Sequence, residues 1–321
     1  MTGHAWRCLA VVIAAGQFFA AAVAQAQPAP FTVCMAADNA PLSFWVKGVA
    51  GQPAQARGLD VRIAQAAAAA LGRPLKLVPF ESEFEKESTL AHEVGALLAA
   101  GVCEAASGFP LLTGDVGAPT RPSSRTPDYP GAARKRERPY VPLQATAASR
   151  AYQGMALGVA LPAGAPPLAS RADLGERKLG VTSGTLGGSV AMMWRFGVLK
   201  PRLVSLGQRD DALGELAKHA SAGGGRFDAL MLPLALLDGW RLQHPGAPLV
   251  AAAWRRPIGV NLGFVTLASA TSVRQALDDT ITSARADGRL AAWATEEGVS
   301  WAPPAMPEIG RGPSLAELAA D

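Results

Sequence analysis

The stretch Phe31 to Phe44, FTVCMAADNAPLSF, decides the reading of this chain. Phe31–Ala36 is a short apolar run with β-branched residues, which suits a buried strand. It stops at Asp38-Asn39, and Pro41 follows. A strand that ends on small polar residues sets them at a sheet edge, where open α/β sheets bind ligands. Gly58-Leu59-Asp60-Val61 comes next and opens an alanine-rich helix. Gly101 to Gly108, GVCEAASG, reads as a second short strand closed by a glycine. Cys34 and Cys103 lie on these two strands, and they read as neighbours joined by a bridge.

The rest of the chain keeps this rhythm. Ile63, Ala67 and Leu71 form one stripe of a helix ended by Gly72. Leu75–Phe80 is a strand, and Ser88 caps a helix through Leu90, Val94, Leu97 and Leu98. Strand, helix, strand, helix, strand predicts a parallel sheet with helices on its faces. Leu111 to Pro142 breaks the pattern with clustered prolines and the run Arg134-Lys135-Arg136-Glu137-Arg138. It is predicted as an extended loop rather than a packed element, either solvated or serving as a docking arm for an acidic protein surface. Beyond it, strands are predicted at Met155–Leu161, Leu179–Val181, Leu203–Leu206 and Phe227–Leu232. Helices follow Ser183-Gly184-Thr185, Asp210 and Leu234. A strand over Val260–Leu267 and a helix over Ser272–Glu297, broken near Gly288, lead to a Pro-rich, extended tail after Trp301.

Length and composition bound the function. The 321 residues suggest about two domains, and the chain is 49% hydrophobic and 17% charged. A net charge of +4, scattered along the chain, does not argue for nucleic acid. Residues 1–26 have a weakly basic start (His4, Arg7), an apolar run from Cys8 to Ala24 and an A-x-A exit, so they are predicted to be a cleaved secretory signal. The product is then an exported, periplasmic protein. Its two remaining cysteines sit in an oxidising compartment and are read as a disulfide. Closing a loop of that length removes roughly 4 kcal/mol of unfolded-state entropy. A metal pair or a reactive thiol is the alternative, but neither cysteine has a partner at ligand spacing or a CxxC.

No catalytic or metal constellation emerges. His92-Glu93 lacks the second histidine of HExxH, and His219 and His244 stand alone. GVTSGT lacks the glycine of a nucleophile elbow, and the glycine run is neither a P-loop nor a dinucleotide fingerprint. Glu81, Glu83, Glu85 and Glu87 read as a solvated turn. Catalytic residues, metal ligands and cofactors are therefore expected to be absent. Ser183-Gly184-Thr185 remains: at a helix start its N–H groups and hydroxyls can seat an anion, or simply cap the helix.

The ordered set VCMAADNAPLSF, GLDVRIAQAAAAALGRPL, LLAAGVCEAASG, ERKLGVTSGTLGG, GRFDALMLPLALLDGW and ADGRLAAWATEEGVSW resembles the periplasmic solute-binding proteins of ABC transporters. The branch is type 2, family 3, which includes the amino-acid binders. The cysteine pair and the phrase CMAADNAPLS, Cys34 to Ser43, look closer to a sub-branch associated with periplasmic quinoprotein dehydrogenases. The resemblance implies a two-lobed α/β fold with a ligand cleft between the lobes. Lobe 1 would hold residues 27–149 and a return over 259–321, and lobe 2 residues 150–258. It implies ligand contacts from Asp38, Asn39 and Phe44, from Ser107 and Gly108, and from the helix start at Ser183, Gly184 and Thr185. It also implies a monomer that carries a small polar or anionic solute to an inner-membrane permease. The alternative is an accessory protein that binds a quinoprotein dehydrogenase or its cytochrome. Two positions depart from the amino-acid binders. Pro110 stands where a threonine precedes the arginine that clamps the α-carboxylate. Pro233 stands where an aspartate holds the α-ammonium. Arg121, Arg125 and Arg150 are the candidates to replace the clamp.

Overall fold

The computed structural model describes residues 28–48, 53–83, 88–170 and 172–320. The signal segment lies outside them, as do Glu85 and Glu87 of the acidic turn. Strand β1 (Phe31–Ala36) lies between β5 (Leu75–Phe80) and β6 (Ala105–Pro110), parallel to both. Between β1 and β5 the chain makes a small hairpin sheet of β2 (Asp38–Asn39), β3 (Ser43–Val46) and β4 (Gln55–Arg57). Helix α1 (Leu59–Ala70) then buries Leu59, Asp60, Ile63 and Ala67. Gly58 starts it at φ +119°, and a Cβ there would stand 2.2 Å from the Leu42 carbonyl oxygen. Only glycine allows that approach. Helix α2 (Leu90–Ala99) is capped by Thr89, whose hydroxyl accepts from the His92 amide while the His92 ring accepts from the Thr89 amide. The Cys34–Cys103 disulfide is formed, with Cα atoms 5.7 Å apart.

Two strands carry the sheet into a second half. The first is β10 (Gln153–Pro162), and the second is the 19-residue β14 (Leu249–Leu267). They pair antiparallel from Gln153↔Leu262 to Pro162↔Leu249, with irregularities at Gly154/Ala156 and Gly158/Ala160. The far end of β14 pairs with β6 and with β9 (Thr146–Ala148). On the other side β10 pairs with β13 (Ala229–Pro233), followed by β11 (Leu179–Thr182) and β12 (Leu203–Leu206), which run parallel to β13. The full order is β12-β11-β13-β10-β14-β6-β1-β5. Each half is covered on both faces. Helices α1, α6 (Thr271–Ala286) and α7 (Arg289–Glu296) pack one face of the first half, and α2 the other. In the second half α3 (Leu186–Met193) opposes α4 (Ala212–Ala222) and α5 (Leu234–Gln243). The predicted break between α6 and α7 falls at Gly288, φ +82°. No helix among the described residues is long and apolar enough to cross a membrane.

Three segments correct the sequence reading. The strand predicted from Val260 begins at Leu249, because Arg255 and Arg256, which break the apolar run, point off the sheet and donate to the Trp301 and Glu317 carbonyls. The loop predicted over Leu111–Pro142 is packed. Its ends pair as β7 (Ser123–Ser124) and β8 (Val141–Pro142), and Arg138, 6% exposed, donates to Thr126 O at 2.7 Å and Glu83 Oε1 at 2.6 Å. Lys135 pairs with the same carboxylate at 2.8 Å. Two of the four charges imagined on a docking arm thus neutralise Glu83. The tail is extended only as far as Ser314. Its backbone holds the Asn261 amide through Ala305 and Glu308, and α8 (Leu315–Ala319) then inserts Leu318 into the core of the second half.

Candidate functional site

The carboxyl ends of β1 and β6 in one half and of β13 in the other face a common cleft at the β10–β14 crossing. A cavity of about 220 Å³ lies there. Asn39, Pro41, Gly108 and Pro110 wall it from the first half, Gln153–Ala156 and Leu262 from the crossing strands, and Pro233, Leu234 and Ala235 from the second half. A second cavity, about 420 Å³, opens toward α4 and is lined by Asp38, Thr182, Asp210, Asp211 and Trp240 among others. A third, about 480 Å³, opens toward α2 and is lined by Glu81, Ser107 and Phe109. They share walls: Ala235 borders the first and second, Asn39 and Gly108 the first and third, and Asp38 the second and third.

The floor of the cleft is a buried polar chain. Asp60 and Tyr152 are both fully buried. The Tyr152 hydroxyl donates to Asp60 Oδ1 at 2.6 Å and accepts from the Gly108 amide at 3.1 Å. Ser107, also buried, lies close enough to act on the Asp60 carboxyl. Burial pushes the Asp60 carboxyl up to about 7, against the pull of Tyr152 and Ser107. Burial, the Asp60 charge and its hydrogen bond push Tyr152 well above the usual phenol value. Gly108 sits at φ +65°, and a Cβ on it would stand 3.2 Å from both Asn39 Nδ2 and Asp60 Oδ2. Asp238 also borders the central cavity, but both of its oxygens are engaged by Ser300, the backbone amide at 2.6 Å and the hydroxyl at 2.7 Å. Burial raises that carboxyl too, against Ser300.

The structure brings together Asp38, Asn39, Ser107 and Gly108 from the residues named by sequence. Phe44 pairs with Asp38 and Arg57 in the hairpin sheet and borders none of these cavities. Ser183, Gly184 and Thr185 also lie outside them, although Thr182 borders the cavity toward α4. The Thr185 hydroxyl caps α3, accepting from Gly188 at 3.1 Å and donating to Thr182 O at 2.7 Å. Ser183 Oγ bonds Ser205 Oγ at 2.6 Å. Arg121, Arg125 and Arg150 border none of the three cavities. Arg150 instead pairs with Glu308 at 3.7 Å. Sequence reasoning missed Asp60, Tyr152, Gln153 and the Pro233–Ala235 turn. The one local signal for Asp60 is an acid between Leu59 and Val61 on the apolar side of a helix.

No family model matches the sequence, and no curated protein is similar to it at the sequence level. Solved structures are similar in fold. One is substrate-binding domain 2 of Lactococcus lactis GlnP in an open conformation, at 15% identity over 85% of this chain and 97% of that one, TM-score 0.57. Another is the second substrate-binding domain of a putative amino acid ABC transporter from Streptococcus pneumoniae Canada MDR_19A, at 13% identity over 83% and 99%, TM-score 0.55. The architecture is therefore the two-lobed α/β fold of a type 2 periplasmic binding protein, with the cleft between its lobes.

Proposed function

We propose that this chain is the solute-capturing protein of an ABC importer, exported to the periplasm after loss of residues 1–26 and working as a monomer without enzymatic activity. The observation that carries this reading is the position of the central cavity. It sits where the two connecting strands cross, walled by Asn39 and Gly108 on one side and by Pro233–Ala235 on the other. A small solute there gains contacts from both lobes only if they close on it, which couples binding to a change of shape that a permease can read. Lobe 1 would comprise residues 27–149 and most of 259–321, with α8 lent to lobe 2, residues 150–258. The fold likeness to amino acid transporter domains supports an amino-acid-like solute. The anionic solute implied by the family resemblance has less support, since among the described residues no lysine, arginine or histidine borders the cleft. An accessory role beside a quinoprotein dehydrogenase rests on the cysteine pair and the Cys34–Ser43 phrase.

A thermal-shift screen with amino acids, organic acids and amines tests the reading. A solute at about 100 times its Kd stabilises the folded state by roughly 2.7 kcal/mol. A raised melting temperature with one chemical class is the expected result. No shift from any solute, with a dehydrogenase retained on purification, would put the accessory role first.

A further inference from the structure

We propose that the cleft recognises its solute by an amine: an ammonium or amidinium group docks on the cleft floor against Gln153, and a carboxylate on the solute is dispensable. The inference rests on the solute-binding reading above and names the chemistry that reading leaves open. It also places the amine on the hinge floor, away from the Pro233 end of the cleft.

One buried polar atom on a residue that walls the central cavity lacks a partner, Gln153 Oε1. Buried polar atoms in folded proteins are almost always paired, so this one marks a place where something is meant to sit. An amide oxygen accepts and cannot donate. The orientation of the Gln153 amide is fixed by its surroundings. Its Nε2 faces two carbonyls, Gly154 O at 3.0 Å and Ser300 O at 3.5 Å. Turning the amide would set oxygen against oxygen twice, so Oε1 is the atom left over. Gln153 is only 7% exposed yet borders the central cavity. Asp60, fully buried, borders none of the three cavities.

Charge points the same way. Asp38, Asp210, Asp211 and Glu81 border the two neighbouring cavities, and no cation among the described residues borders any of the three. A lone water can satisfy one acceptor, but it brings no charge to answer these carboxylates. Backbone donors that would hold an anion on the hinge side are already used, the Gly108 amide by Tyr152 and the Gly154 amide by Ala302 O at 2.9 Å. The first-turn amides of α5, which has no side-chain cap, and the Asn39 side-chain amide remain as donors. They suit a carbonyl or a carboxylate equally. Met155, Leu234, Leu262 and Pro233 leave an apolar space for the body of the solute.

The test is calorimetric titration with two matched sets: leucine, 3-methylbutylamine and 4-methylpentanoate, then phenylalanine, 2-phenylethylamine and 3-phenylpropanoate. The expected result is that within at least one set the amine binds within tenfold of the amino acid, while the acid binds at least a hundredfold more weakly. If the acids bind as well as the amines or better, the proposal is overturned and the solute-binding reading stands. If none of the six compounds gives heat, both fail. Gln153→Met locates the contact. It should weaken amine binding at least tenfold while the protein stays folded by circular dichroism. Unchanged affinity overturns the assignment to this floor, and the wild-type series decides the amine question even if the variant does not fold.

Discussion

Asp60→Asn is the sharpest stability test, because it alters one buried charge and almost nothing in shape. Tyr152 can still donate to the remaining oxygen, and the new amide nitrogen can reach Ser107 Oγ. The folded protein holds the Asp60 proton up to about pH 7, whereas an unfolded chain releases it at the usual aspartate value. Between those values the folded state binds more protons, so stability falls as pH rises through the window. A rise of about three units corresponds to about 4 kcal/mol of destabilisation once the carboxylate is ionised, an upper bound for a site that can relax. No cation offsets it: the groups acting on Asp60 are Tyr152 and Ser107, and Tyr152 stays protonated throughout. The variant should therefore match the wild type near pH 4 and exceed it by several kcal/mol at pH 8. Urea unfolding at both pH values checks this. Asp238 and Asp278 also have raised values, but they are common to both proteins and cancel in the difference. An equal effect at both pH values, or destabilisation at pH 8, would refute the reasoning.

Two further outcomes follow from the segments that depart from the sequence reading. Arg138→Met leaves Glu83 with Lys135 alone and empties a buried site, so it should lower stability by about 3 kcal/mol, read by urea unfolding, with solute affinity unchanged. Leu318→Ala should cost about 2–4 kcal/mol, and limited proteolysis should then release the C-terminal tail before either half is cut.

The parts of the fold legible in sequence are those governed by local pattern. Phe31–Ala36 is apolar and stops at a polar pair, so its end is visible as an edge. The helix over Leu90–Ala99 is visible in its apolar spacing, although Thr89 caps it rather than the Ser88 expected, and Gly288 breaks a helix by its left-handed geometry. What stayed hidden depends on partners distant in sequence. Nothing near Arg255 and Arg256 says that Trp301 and Glu317, more than forty residues on, will accept their hydrogen bonds and let a strand run through them. Arg138 looks like a surface charge until Glu83 is placed against it. Asp60 is a favourable acid at a helix start by local rules. Its burial comes from Tyr152 and Gly108, which the chain brings in from other strands. For the same reason the Ser183–Thr185 helix start reads equally as a cap or an anion seat in sequence, and its hydroxyls are engaged within the protein in the fold.

The central claim is that one small solute occupies the cavity at the crossing strands. Ala235, half-buried on the first turn of α5, borders both that cavity and its neighbour toward α4, so Ala235→Trp should fill the cleft without disturbing either core. Native mass spectrometry of wild type and variant, each released gently from the periplasm, tests the claim most directly. The expected result is a wild-type population carrying one molecule of a few hundred daltons at most, lost on denaturation and absent from the plugged variant, which keeps its melting temperature. A bound molecule that persists in Ala235→Trp, or a wild type that carries nothing and takes up none of the six titrated compounds, would contradict it.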